Sequence, residues 1–469
     1  MSATRSRVGF VSLGCPKNLV DSEVMIGLTR DAGYDVTADP AEADVLVVNT
    51  CAFIDAAKQE SIDTILELAE HKRSGRCQRL IVTGCLAERY RDELRAEIPE
   101  IDVTLGTGEV PAITAVMEGR QATEAAPATF HGRRPPLRPT APRAGADGSA
   151  LPTYLYDAAT PRALTTPSHL AYLKVAEGCD YACAFCIIPT LRGHYRSRRP
   201  ESVLEEAAAL AARGVRELIL ISQDTTFYGN DLGERGALAR LLRRLDRVDA
   251  LEWIRLLYLY PTTITPDTIE AIADCESVCR YVDLPLQHAS AGVLQRMGRP
   301  GTRRQYDRLL EDIRRRIPEV TLRTTFIVGF PGETEQDVRE LEQFVRDTGF
   351  DHMGVFTYSH EAGTRAHGLP DDVPAGEKQA RRDRVMAVQR ELVAERQRQR
   401  VGAEVRVLVD GPVPDAPLAW QGRIEGQAPG IDPVTYLSEL DPARYPAGSF
   451  LTARIVEAHG YDLVAVPLP

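Results

Sequence analysis

Two separate stretches of the chain repeat one rhythm, a short apolar run followed by a longer helix-like segment, and this restricts the fold more than any other feature. From Val8 to about Glu118 the runs VGFVSLG, DVLVVNT and RLIVTG alternate with DSEVMIGLTRDAG and AKQESIDTILELAEHK. From Leu170 onward LAYLKVAEG, ELILISQDT, WIRLLYLYP, YVDLPLQH, LRTTFIVGF and HMGVFTYS alternate with segments such as PESVLEEAAALAARG and TRRQYDRLLEDIRRRI. Such alternation builds parallel sheets from β/α units. The fold class is therefore α/β. The first stretch predicts an N-terminal parallel α/β domain over residues 1–121, and the second a central open or partial (β/α)6 barrel over 169–400. The charged stretch from Glu377 to Arg400 reads as a closing helix, with an apolar stripe of Val385, Val388 and Leu392.

Between these stretches, residues 122–168 lose all periodicity and fill with Pro, Arg, Ala and Gly, as a linker or insertion does. After Val401 short alternating runs punctuated by Gly and Pro predict a small antiparallel β-barrel over 401–469. A length of 469 residues suits such a three-domain division. No apolar run is long enough to span a membrane, and the first residues lack the apolar core of a secretory signal, so a cytoplasmic protein with no membrane partner is expected. The formal charge of -11 argues against general affinity for phosphate backbones.

Nine cysteines in such a chain point to metal ligation or thiol chemistry rather than a disulfide framework. Cys179, Cys183 and Cys186 form C-x3-C-x2-C directly after the first barrel run. Three thiolates on one loop can each hold one iron of a cubane cluster, leaving the fourth iron open. A ferredoxin needs a fourth local ligand and a zinc site normally takes paired spacings, so neither fits well. Cys15, Cys51 and Cys85 each close an apolar run, 36 and 34 residues apart. Strand C-termini share one edge of a parallel sheet, so these thiols should converge and predict a second cluster. Any one of them alone would read as a small buried hydrophobe, as Cys77, Cys275 and Cys279 do; the last two have helical spacing.

The cysteine loop, with Phe185 before its last thiol, resembles the radical S-adenosylmethionine superfamily, and TFIVGFPGET (Thr325 to Thr334) is similar to the strand-end segment that those enzymes set against the adenosyl group. The resemblance implies a 4Fe-4S cluster on Cys179, Cys183 and Cys186 whose open iron binds S-adenosylmethionine, and one-electron cleavage of that cofactor to abstract hydrogen. With the N-terminal cysteines and a small β-domain that resembles TRAM modules, nearly the whole chain is similar to the methylthiotransferases, which implies a second 4Fe-4S cluster on Cys15, Cys51 and Cys85 that carries or supplies sulfur. SLGCPKNLVDSE (Ser12 to Glu23), ISQDTTFYG, VDLPLQHAS and VFTYSHEAGTRA look like the RimO-type branch. Its implied target is the β-carbon of an aspartate in ribosomal protein S-twelve, free or on the ribosome, with an electron donor such as flavodoxin or ferredoxin.

Phe185, Gln223, Gln287, Arg323 and Gly329 are the candidate cofactor contacts, with Asp224 and His288 as neighbours at strand ends. Arg192, Arg196, Arg198 and Arg199 follow the cysteine loop and could meet a carboxylate or simply form a solvated face. The C-terminal segment holds four arginines against nine carboxylates, a net of -5, which repels transfer RNA and would attract a basic protein. Two rival readings stay open: a transfer-RNA adenosine methylthiotransferase, and a non-catalytic iron-sulfur or sulfur carrier.

Overall fold

A computed structural model of the chain describes residues 6–120, 151–414 and 416–469. In the N-terminal domain β1 (Arg7–Ser12), β2 (Asp35–Thr37), β3 (Val45–Thr50), β4 (Arg79–Gly84) and β5 (Ile101–Leu105) form a parallel sheet ordered β2-β1-β3-β4-β5. The central strands β3 and β4 are apolar throughout most of their length because helices cover both faces. One of those helices, α1 (Pro16–Asp31), is buried almost all round, its polar residues included. A helix in that state lies between two packed bodies rather than at a surface. The second body is the barrel: Val20, Val24 and Met25 share one apolar cluster with Tyr172, Ile219, Ile221 and Trp253.

The barrel comprises β6 (Leu170–Lys174), β9 (Glu217–Ile221), β10 (Trp253–Leu256), β11 (Tyr281–Asp283), β12 (Thr321–Val328) and β13 (His352–Thr357), with a two-residue ribbon of β7 (Ala176–Glu177) and β8 (Arg196–Ser197) above its first strand. Its six long strands make two parallel three-stranded sheets, β6-β9-β10 and β11-β12-β13, joined by the Ile254–Val278 bridge. Among the described residues β6 and β13 do not pair, so the barrel is open, as six units predict. The closing helix runs Ala375–Gln399 and buries Val385 and Val388, while its Arg384 pairs with Glu335 and Glu342.

Strands β14 (Glu404–Val413), β15 (Ala416–Ile424), β16 (Thr435–Leu437), β17 (Phe450–His459) and β18 (Asp462–Pro467) close a third body, a five-stranded barrel in which only β16 and β18 run parallel. It docks on the N-terminal ends of the central strands. Arg423, 2% exposed, stands 2.5 Å from Glu217 at the start of β9 and 2.8 Å from Asp410. His169 Nε2 lies 3.0 Å from Asp410, Tyr281 donates to Asp432 at 2.6 Å, and Arg323 joins Asp283 at 2.9 Å to Asp432 at 3.3 Å.

Two expectations change here. Asp410 and Asp432 are partly buried and paired in the seam, so part of the acidic charge in the C-terminal segment faces inward rather than toward a partner. The segment also lies at the end of the barrel opposite the strand-end cysteines, separated from them by strands of five or more residues, roughly 16 Å at 3.3 Å per residue. That is about two Debye lengths at physiological salt, too far for its charge to act strongly at the cysteines. Cys275 and Cys279 share no helical face, because the helix Pro266–Asp274 stops before both; they are buried nonetheless, as is Cys77.

Of the stretch expected as a linker, residues 122–150 lie outside the described residues. Within 151–168, Tyr156 is buried beneath Arg198, and Arg162 reaches Glu23 of α1 and Glu206, each at 2.6 Å. Gly27 of α1 permits this approach, since a Cβ there would meet Pro161 O at 2.4 Å.

The seam makes a stability prediction. Arg423→Met leaves Glu217 and Asp410 without a shared cation and should cost about 3–5 kcal/mol, read as a lower denaturant midpoint for the C-terminal barrel. Burial alone would raise the Asp410 carboxyl, but His169 and Arg423 outweigh it and hold it below the usual range. Its contribution is thus complete above the ordinary carboxylate pKa of about 3.9 and is lost only as pH falls through the lower folded value. A pH titration of unfolding should show this part of the seam intact down to about pH 4.

Candidate active site: two sets of cysteines around one short helix

Each cysteine of the N-terminal set follows a strand of the parallel sheet. Cys15 precedes α1, Cys51 follows β3 and Cys85 opens α3 (Cys85–Arg89) after β4. Two of them stand directly after a left-handed glycine. Gly14 has φ 86° and a Cβ there would lie 3.1 Å from Cys51 Sγ; Gly84 has φ 93° and a Cβ there would lie 2.6 Å from Thr50 O. Only glycine allows these turns to bring the loops so close. Asn18 ties the three together: its Nδ2 donates to Leu13 O at 3.1 Å and Thr50 O at 2.8 Å, and its Oδ1 lies 3.8 Å from Cys85 Sγ.

The barrel set lies on the loop after β7. Gly178, φ 88°, turns the chain into Cys179 where a Cβ would collide with His194 O at 2.1 Å. Tyr181 donates to Asp224 Oδ2 at 2.7 Å and stacks on Tyr260 with ring centroids 4.0 Å apart. Ala184 N donates to Met297 O at 2.6 Å, Ala184 O accepts from Ala366 N at 2.8 Å, and Arg365 reaches Ala182 O. The loop is therefore held at both flanks, and Arg299 Nη1 lies 3.8 Å from Cys183 Sγ. Phe185 packs on the apolar group of Val293, Met297 and Phe330.

The helix Ile188–Arg192 separates the two sets. Ile187 and Leu191, just past Cys186, belong to the N-terminal core that contains Cys85 and Leu86. Arg192 ends that helix fully inside the protein, 2.7 Å from Asp21 and 3.3 Å from Glu177, and donates to Asn18 Oδ1. Lys174 completes the group, 2.5 Å from Asp21 and 2.6 Å from Glu177. Burial would raise the Glu177 carboxyl, but Lys174 and Arg192 hold it well below the carboxylate range. On the rim, Glu361 beyond β13 receives Lys58 at 2.9 Å and Arg89 of α3 at 2.8 Å.

All six cysteines are free thiols. Burial pushes Cys85 and Cys179 up to about 12 and raises Cys51 and Cys186 as well, and thiolate neighbours within each set add to the effect. Such thiols give up their protons when a metal supplies the missing positive charge. Among the described residues no three His, Cys, Asp or Glu side chains close around a point as a single ion requires. A cubane asks for less, since each thiolate binds a separate iron.

The other strand-end candidates divide. Gln223 donates to Glu177 while its Oε1 is buried with no partner among the described residues; Gln287 Oε1 and Tyr260 Oη are in the same state. Gln287 has φ 73°, an uncommon backbone for a side chain of its size. His288 is fully buried, accepts from Ser290 N at 2.9 Å and lies 3.4 Å from Glu333. Arg323 is held in the seam with the C-terminal barrel, whereas Gly329 follows the end of β12 directly, beside Phe330 of the Phe185 group, with φ 73° and so close to Lys378 that a Cβ would come within 2.3 Å. Arg196 and Arg198 are spent on internal carbonyls and on Glu206, and only Arg199 of that run is exposed. Sequence reasoning passed over Lys17, Asn18 and Asp21, and it passed over the Gly-Cys pairs at 14–15, 84–85 and 178–179. Those dipeptides were the available signals.

Family models agree with this three-body layout. The uncharacterized protein family UPF0004 matches residues 7–106, the radical SAM superfamily 173–345 and the TRAM domain 401–468. The chain is similar in fold to the radical S-adenosylmethionine methyltransferase TsrM from Kitasatospora setae, with a TM-score of 0.53 at 19% identity, covering 76% of this chain and 72% of that one. Among curated proteins it is 47% identical to the ribosomal protein uS12 methylthiotransferase RimO of Koribacter versatilis, over 98% of this chain and 96% of the relative. It is 49% identical to the protein of the same name in Symbiobacterium thermophilum, over 98% and 90%. With nearly half of its residues identical over almost the whole of both chains, the chain belongs to the RimO family of ribosomal protein uS12 methylthiotransferases.

Proposed function

We propose that the protein inserts sulfur into an unactivated C–H bond and methylates it, on the β-carbon of an aspartate in ribosomal protein uS12, the target in its relatives' name. The observation that carries this reading is that the helix Ile188–Arg192, which follows the Cys179–Cys186 loop directly, packs into the core that holds Cys85 and is tied through Arg192 to Asp21 and Asn18. A radical S-adenosylmethionine domain takes a 4Fe-4S cluster and S-adenosylmethionine, which together supply one-electron chemistry able to remove hydrogen from carbon. In this reading Cys179, Cys183 and Cys186 hold that cluster, on a loop that Asp224, Met297 and Ala366 keep in place. Arg299 sets a positive charge beside Cys183. The unpartnered oxygens of Gln223, Gln287 and Tyr260 suit the ammonium of the cofactor's methionine portion, and Phe185 gives its ring an apolar wall.

Cys15, Cys51 and Cys85 hold a second 4Fe-4S cluster, with one iron free of protein ligands for sulfur. Burial excludes water from Cys51 and Cys85, which protects a carbon radical and a reactive sulfur alike, while Cys15 is only half-buried. Electrons enter singly from a small flavodoxin- or ferredoxin-type donor. The target is a protein rather than transfer RNA: with Asp410, Asp432 and Arg423 taken up in the seam, the C-terminal barrel still carries seven carboxylates against three arginines, and phosphate is repelled there.

Replacing Cys179, Cys183 and Cys186 together by Ala should remove about half of the iron from anaerobically reconstituted protein and abolish cleavage of S-adenosylmethionine. Retained cleavage would remove the assignment and favour a carrier for the remaining cysteines. The matching replacement of Cys15, Cys51 and Cys85 should spare cleavage and eliminate methylthio product, read by mass spectrometry of uS12. A smaller change tests the geometry: Gly84→Ala puts a Cβ into Asn49 and Thr50, so iron at the N-terminal set should fall while the Cys179 set stays loaded.

A further inference from the structure

The polar residues of CPKNLVDSE are nearly all accounted for by neighbours. Asn18 ties the cysteine loops, Asp21 pairs with Lys174 and Arg192, Ser22 binds Ser12 and Asn49, and Glu23 holds Arg162 and Thr165. Lys17 is the exception. It is buried, yet its ammonium makes no hydrogen bond or ion pair with any described residue; it stands over the ring of Tyr258, 3.1 Å from the centroid. Glu177 and Asp283, the carboxylates nearest in effect, are already committed to Lys174, Arg192 and Arg323.

The ring beneath Lys17 is itself specially held. Tyr258 has φ 61°, rare for an aromatic residue, with its N–H donated to Asp283 Oδ2 at 2.9 Å and its carbonyl accepting from Thr225 N at 3.0 Å. A cation resting on an aromatic face keeps its outer hydrogens free for an anion. Cys15, two residues before Lys17 and directly ahead of α1, is only half-buried.

We propose that the Lys17 ammonium, presented on the Tyr258 ring two residues from Cys15, receives the side-chain carboxylate of the substrate aspartate. This inference rests on the reading of uS12 as target. In aspartate the β-carbon is bonded directly to the carboxyl carbon, so clamping the carboxylate fixes the reacting C–H to within a bond length. A neutral nucleobase offers no such handle. Lys17 is thus a binding and specificity residue, and the cysteine sets form without it.

The test is equilibrium binding of uS12 to the reconstituted enzyme, with the target aspartate intact or changed to asparagine, and with iron and sulfide measured in each enzyme. Wild-type enzyme should prefer the aspartate form on the order of thirtyfold or more, as for a desolvated ion pair. Lys17→Met should retain its iron, lose that preference and bind both forms as wild type binds the asparagine form. Lys17→Gln, polar but uncharged, should behave alike and serves if the Met variant does not fold. An unchanged preference in either variant overturns the role of Lys17 while leaving the target standing. Wild-type enzyme that binds neither form better than an unrelated basic protein overturns the target and this inference together.

Discussion

The buried group of Asp21, Lys174, Glu177 and Arg192 is the constraint on which the rest depends. Two cations and two anions, each nearly without solvent, join α1 of the first body, the first barrel strand and the helix that follows the second cysteine set. Desolvating four charges is costly, and well-packed apolar residues would often be as stable. What the group adds is registry. Only one placement of α1 against the barrel satisfies every partner, and Arg192 then lies beside Asn18, which touches the chain next to Cys15, Cys51 and Cys85. Slippage at this seam would leave unpaired charge in the interior.

The three bodies divide the work by where they meet the central strands. The N-terminal domain sits at the strand C-termini, clasped at the rim by Glu361 with Lys58 and Arg89, and brings its thiols to the end where parallel β/α folds place their chemistry. The C-terminal barrel seals the opposite end through Arg423, Asp410, Asp432 and Arg255. An open six-stranded barrel leaves interior apolar surface uncovered, and α1 fills it with Val20, Val24 and Met25. The active end is thereby enclosed by a domain that also carries chemistry, so closure and sulfur delivery come from one element.

Much of this was written in the linear chain. The alternation of apolar runs and helical segments determined the α/β class, the three-body division, the open barrel and the position of all six cysteines at strand ends, because hydrophobic periodicity and strand polarity are local properties. The closing helix and its buried Val385 and Val388 followed from the same logic. Chemistry-bearing side chains were harder to sort. Gln223 and Gln287 are at strand ends with unmet amide oxygens and Gly329 directly follows β12, whereas Arg323 is taken up by Asp432.

The sequence by itself, then, determined which residues lie at which strand ends, since that needs only the order of elements along the chain. The tertiary structure decided which charges face each other. Asp410 and Asp432 counted as surface acid until the seam with the central barrel turned them inward, and the Arg192–Arg198 run looked like a solvated face until Asp21, Glu177 and Glu206 enclosed its members. Lys17 looked like any lysine at the start of a helix until every neighbour in its motif was found to have a partner and it had none among the described residues. Much of that pairing, as of Asp21 with Lys174 and Arg192, joins residues more than a hundred positions apart, and local periodicity carries no information about it.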